Sequence, residues 1–318
     1  MRVTRGRVLR CILAGLVCFA LIVAVDLRSL SEALGKLTLP VFLWLMLISV
    51  LLIYISALKW RLFLEGLQRE SSAIRLFNLY LVGYFVNLLV PSYVGGDAVR
   101  SWYAGKRVGQ HEALAATVLE RYTGLVAMVV LAFASIWVVD GVTWQIKLAV
   151  AVLTVGVVGL TALALSPRLM AWAPQARNFA AHLARVREAL LVLLRNRRLL
   201  VKTMALSFLF HSFTVVNTIA AGHAVGWTNP PVLDLFTVLP LVLLIGSLPL
   251  TPSGLGLQEG AFLFFLTGLG ATPAEALGVG VVLRAKSYVL ALFGGILWLM
   301  IRREGAPPVP DRVAGSGA

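Results

Sequence analysis

Asp97 and Arg100 stand three residues apart at the start of one predicted helix, directly behind a Gly95-Gly96 turn. Side chains at that spacing share a helix face. Amides freed at a glycine turn opening a helix can hold an anion, and an arginine one turn on can grip a phosphate. The other reading of Asp97 is a plain helix cap. Downstream, Glu120-Arg121 either pairs with Asp97 and Arg100 in the interior or lies among lipid headgroups. A second set follows late in the chain, with Gly254, Gly256 and Glu259 at another turn and Arg284 and Lys286 beyond it. Glu259 and Glu275 are the candidate partners of those two cations. On these residues, Arg100→Ala is expected to abolish activity while the protein still inserts.

The surroundings give these charges their weight. The chain has 318 residues, 59% hydrophobic and only 13% charged, against about 25% charged for a soluble domain. That composition describes an integral membrane protein, where ionisable residues in apolar segments mark sites. The formal charge of +14 comes mostly from Arg and Lys between apolar runs. Orientation and anionic lipid explain that placement, and nucleic-acid binding is not expected. His111, His182, His211 and His223 lack metal-ligand spacing, and His211 reads as a hydrogen-bonding packing residue. Cys11 and Cys18 share a face of the first apolar run and read as packing or lipid-facing thiols. No Walker loop, HExxH, G-x-S-x-G or acidic cluster for Mg²⁺ is present, so neither metal nor cofactor is expected.

Both glycine turns interrupt apolar runs. The first, NLLVPSYVGGDAVR at Asn87–Arg100, breaks at Pro91; the second, LPLTPSGLGLQE at Leu248–Glu259, breaks at Pro249 and Pro252. Aligned on Pro91-Ser92 and Pro252-Ser253, each has a glycine four residues after the proline, and the two prolines lie 161 residues apart. Backbone broken at membrane depth persists only where protein or a water-filled cavity satisfies it.

Six full spans are predicted, over Ile12–Val25, Pro40–Leu58, Ala113–Val139, Ile146–Leu165, Thr203–Val225 and Ala276–Ile301. The first reads as uncleaved, since no small-x-small site follows it. Leu76–Val90 is followed by Arg100, Lys106 and Arg107, so a full crossing would put cations outside. A re-entrant hairpin keeps them in the cytoplasm. Leu233–Leu248 with Ala261–Leu269 reads as a second hairpin, because the latter is shorter than the roughly 20 residues a crossing needs. Each half is then span, span, hairpin, span, with halves at about 8–140 and 145–302 within one polytopic domain, 1–304. Three crossings per half makes the repeat inverted in topology. Both termini are expected in the cytoplasm, at a cell (inner) membrane. Lys59, Arg61, Arg69 and Arg75 mark a cytoplasmic loop. Residues 166–202 are basic, with Phe179, Leu183, Val186, Leu190 and Leu193 at helical spacing. That segment is either an amphipathic helix on an anionic surface or a solvated connector. The tail, 305–318, reads as disordered. The Gly222–Gly226 spacing suits close helix packing.

At its two breaks, and at ERYTG (Glu120–Gly124), the sequence resembles the transmembrane region of the lysylphosphatidylglycerol synthase family, also described as flippase-like. Two-part members carry a soluble aminoacyl-transfer domain after this region. The resemblance here implies the lipid-translocating part alone, without synthase activity. The function expected is therefore a lipid flippase or transporter, with an anionic phospholipid or lipid-linked substrate. Gly95, Gly96, Asp97, Arg100, Glu120, Arg121, Gly254, Gly256, Glu259 and Arg284 are its candidate binding residues. Two rivals stand beside it. One is a multi-span glycosyl- or lipid-transferase using Asp26 and Glu32. The other is a non-catalytic organiser that gathers lipid-biosynthesis enzymes through the basic helix at 175–199.

Overall fold

A computed structural model describes residues 5–89, 95–139, 143–166, 187–248 and 250–304, and every described element is helical. The helices are α1 (Arg5–Ala24), α2 (Leu27–Gly35), α3 (Leu39–Gly66), α4 (Ala73–Leu89), α5 (Gly95–Val108) and α6 (Gln110–Ser135). They continue with α7 (Trp144–Leu165), α8 (Arg197–Val225), α9 (Val232–Ser247), α10 (Leu257–Gly268) and α11 (Pro273–Glu304), and a 3-10 turn at Pro252–Gly254 precedes α10. Five helices, α3, α6, α7, α8 and α11, are long and apolar enough to cross a membrane. They match five of the six predicted spans; the sixth falls on α1. Pro91 and Pro249 lie outside the described residues, as do Phe179, Leu183, Val186 and the tail.

The order long helix, short pair, long helix occurs twice, as α3, α4–α5, α6 and as α8, α9–α10, α11. In each short pair the chain doubles back on itself. Gly96 sits against Gly83, and Gln258 against Gly246. The first approach needs hydrogen at Cα: a Cβ on Gly96 would run into the Gly83 carbonyl, whereas one on Gly83 would stop 3.2 Å from the Gly96 carbonyl. Gly96→Ala is therefore expected to destabilise by about 1–3 kcal/mol through overpacking. Gly83→Ala should do less, and thermal unfolding in mild detergent compares the two.

Two large apolar clusters, with a small third at Val25, Ala274 and Leu277, make the interior of the described residues. One gathers residues of α8–α11 with the far end of α6, including Val215, Leu235, Phe262, Val279 and Ala132. The other gathers α3, α4, α5 and the near end of α6, including Trp60, Phe63, Leu76, Leu79 and Leu119. Along α6, α8 and α11 the changeover falls at polar residues: Glu120 and Thr123, Thr203 and Ser207, Arg284 and Lys286. A polar layer thus separates the two apolar masses. α7 turns most of its surface outward, with only Val150 and Val157 buried. Tyr122 and Thr161 join their hydroxyls at 2.8 Å between α6 and α7.

Helical residues 187–195 turn Ala189, Leu190 and Leu193 into the second cluster. Over these described residues of the basic segment the apolar side chains pack on protein. The Gly222–Gly226 pair closes the end of α8. Trp227 N–H donates to the Gly222 carbonyl at 2.9 Å and Gly226 N–H to that of His223 at 3.2 Å, the Schellman pattern. Its glycine at φ 104° explains the spacing; the Trp227 ring, not another helix, lies over Gly222.

Candidate functional site

The first hairpin delivers Arg100 to the interior, where it is 1% exposed. Its Nε donates to Asp97 Oδ1 at 2.8 Å and its Nη2 to Glu120 Oε2 at 2.7 Å. The guanidinium lies 3.9 Å from the Tyr80 ring centre and 4.5 Å from that of Trp60. Such stacking suits arginine, which is weakly hydrated and planar. Lys59, 4% exposed, brings its ammonium to 3.6 Å from Glu120 Oε1 and donates to Ser207 Oγ on α8 at 3.1 Å. Arg121 forks onto Asp97 with two 2.8 Å bonds and is 51% exposed. Five charged side chains from α3, α5 and α6 therefore form one network with a single exposed edge.

This geometry shows which of the charged residues lie together. Asp97 spends its carboxylate on Arg100 and Arg121, so its part is ionic. Glu120 and Arg121 lie together with Asp97 and Arg100. The Gly96 amide already donates to Asn87 Oδ1 at 2.6 Å. One of the amides expected to hold an anion is therefore engaged. Lys59 is not a loop cation; α3 continues to Gly66 and carries it inward.

The second hairpin opens through left-handed backbone, with φ 52° at Ser253, 67° at Gly254 and 78° at Gly256. Glycine takes that region freely; Ser253 does not, and its hydroxyl is held by donating to the Asn87 carbonyl of the first hairpin. The two breaks thus touch. Arg284 of α11 spans the turn from the far side. Its Nε donates to Glu259 Oε1 at 2.5 Å, Nη1 to the Ser253 carbonyl at 2.8 Å and Nη2 to the Gly254 carbonyl at 3.1 Å. Glu259 Oε2 accepts the Gly256 amide at 2.8 Å, so this acid both caps α10 and pairs with Arg284. α1 covers the turn, with Val17 and Cys18 over Gly256. Lys286, 5% exposed, has no ion-pair partner among the described residues.

Elsewhere, His211 bonds the Gly124 carbonyl at 2.9 Å through Nε2, a packing role. It also borders a small cavity lined mainly by Met128, Leu131, Val215, Phe236 and Leu243. Asp26 caps α2, taking the Ser29 hydroxyl at 2.6 Å and the amides of Ser29 and Arg28 at 3.0 and 3.3 Å. Those bonds, the hydroxyl foremost, hold its carboxyl below the usual range. Glu32 pairs with Arg28 at 3.2 Å.

The fold and these clusters define an all-α, multi-span membrane protein with ionic groups buried between two broken helix pairs. The chain belongs to the lysylphosphatidylglycerol synthase transmembrane-region family, whose profile matches residues 7–295. It is similar to two proteins of Methanothermobacter thermautotrophicus, each described as a UPF0104 membrane protein. One is 26% identical over 296 residues, covering 85% of this chain and 87% of the relative. The other is 25% identical over 296 residues, covering 82% and 83%. No solved structure matches the chain.

Proposed function

We propose that this protein moves an anionic phospholipid or lipid-linked head group between the leaflets of the cell membrane. The head group travels through the polar layer while its tails stay in the bilayer. In this reading α4–α5 and α9–α10 are re-entrant hairpins, and both termini are cytoplasmic. Family membership supports a lipid-related membrane role.

One observation carries the finer reading: the first cluster holds one more cation than carboxylates. There Lys59, Arg100 and Arg121 face Asp97 and Glu120, three against two. The third cation, Arg121, stands at the half-exposed edge of the network, where an anionic head group supplies a further partner charge. At the second turn Arg284 pairs one to one with Glu259, and Lys286 is a separate buried cation. The rival acids of a transferase are already occupied, Asp26 by a helix end and Glu32 by Arg28.

Reconstituted liposomes provide the test. Fluorescent phosphatidylglycerol in the inner leaflet should reach an outside quencher faster with the protein than without it. Phosphatidylcholine should move more slowly, and mass spectrometry should find both lipids unchanged. Equal rates for the two lipids, or a new lipid product made by the protein alone, would overturn the reading.

A further inference from the structure

Arg100 offers five N–H donors. Its Nε and Nη2 are used, but Nη1 is buried and has no acceptor among the described residues. Trp60 Nε1 and Tyr80 Oη are in the same condition, buried and unbonded. All three belong to one place. The guanidinium lies within 4.5 Å of both ring centres, and the rings meet edge to face with centres 5.8 Å apart. Buried polar groups are nearly always bonded, so an unmatched one calls for an explanation. Here three donors gather at one cation, and Nη1 and Nε1 can do nothing but donate.

What is missing is an acceptor. The nearby carboxylates are turned to other groups, Asp97 to Arg100 and Arg121, and Glu120 to Arg100 and Lys59. Glu120 stands near the Tyr80 hydroxyl, but no carboxylate oxygen among the described residues makes a hydrogen bond to the three unmatched atoms. Three cations face two carboxylates in the network, the third, Arg121, at its exposed edge. An acceptor that is also an anion suits both the donors and that balance. Phosphoryl oxygen fits, because guanidinium and N–H donors bind it through charge-assisted bonds.

We infer that Trp60, Tyr80 and Arg100 form an oxyanion subsite for one phosphoryl oxygen of a lipid phosphate. This rests on the reading that the protein handles anionic lipid, and it narrows the ligand to phosphate-bearing lipids over purely glycosylated ones. Arg121, at the exposed edge of the network, faces the side from which the phosphate arrives.

Tyr80→Phe and Trp60→Phe each remove one donor and keep an aromatic ring against Arg100. The measurement is thermal unfolding of the purified protein in mild detergent, titrated with phosphatidic acid, diacylglycerol or inorganic phosphate. Phosphatidic acid should raise the melting temperature of the wild type and diacylglycerol should not. Each variant should need about ten- to a hundredfold more phosphatidic acid for the same rise, the loss expected for one hydrogen bond to an ionised acceptor. Stabilisation by inorganic phosphate alone, weakened equally in both variants, would keep the subsite and assign it to a soluble anion. A wild-type response in both variants would mean that the donors hold only water, and would overturn the subsite. Should the wild type still move phosphatidylglycerol in that case, the transport reading survives without it. A wild type that neither binds nor moves anionic lipid would remove both.

Discussion

Arg100→Ala should unfold this protein more readily than any other single truncation in the polar layer, by about 3–5 kcal/mol. The guanidinium is 1% exposed and ties Asp97 to Glu120. Without it Glu120 keeps only Lys59 at 3.6 Å, and Asp97 only Arg121. The sequence alone suggests a ligand-binding arginine whose loss spares insertion. Its burial between two carboxylates and two rings makes it a structural centre as well. Arg100→Lys should recover part of the loss, because a point charge cannot reach both acids with a planar fork. The double variant Arg100→Gln with Glu120→Gln should melt no higher than Arg100→Ala, since it also takes the carboxylate away from the buried Lys59. Melting curves in nanodiscs measure all three. A wild-type curve for Arg100→Ala would refute the assignment.

Arg284→Ala should strike transport itself, slowing phosphatidylglycerol movement about ten- to a hundredfold. That range corresponds to one lost charge-assisted contact of about 1.5–3 kcal/mol. Arg284 holds the carbonyls of Ser253 and Gly254 together with the Glu259 carboxylate, so it both shapes the second turn and charges it. Arg284→Lys keeps the charge without the fork and should restore only part of the rate. Glu259→Gln is the companion test. The carboxylate gives one oxygen to Arg284 and the other to the Gly256 amide. A glutamine has one acceptor oxygen for these two donors and must leave one unmatched. The leaflet assay at matched reconstitution separates these variants, and an Arg284→Ala rate equal to wild type would take the second cluster out of the mechanism.

The breaks were legible because proline and glycine punctuate apolar runs in a way no neighbouring residue disguises. Asp97, Arg100, Glu120 and Arg121 were legible because charge in such a setting demands a partner, and few partners were available. Lys59 was not. It stands beside Arg61 in sequence and looks like the end of a span, yet the apolar residues Leu62, Phe63 and Leu64 continue its helix. That continuation was the signal. Trp60 and Tyr80 look like any core aromatics until their polar atoms are counted. Ser253 and Asn87 carry no charge, and nothing in one dimension announces a bond across 166 positions. Leu190 and Leu193 show the limit of periodicity: spacing fixes which face is apolar, but a membrane surface and a protein core ask for the same face.

The charge network also bears on how the chain enters the bilayer during synthesis. Lys59, Asp97, Arg100, Glu120 and Arg121 find their ionic partners within residues 59–121, and Glu259 and Arg284 find each other within a separate later stretch. The amino-terminal half can therefore leave the insertion machinery with its carboxylates already paired, before the ribosome has made α8. Lys59 to Ser207 and Ser253 to Asn87 then become late fastenings between the two halves, hydrogen bonds and not ion pairs.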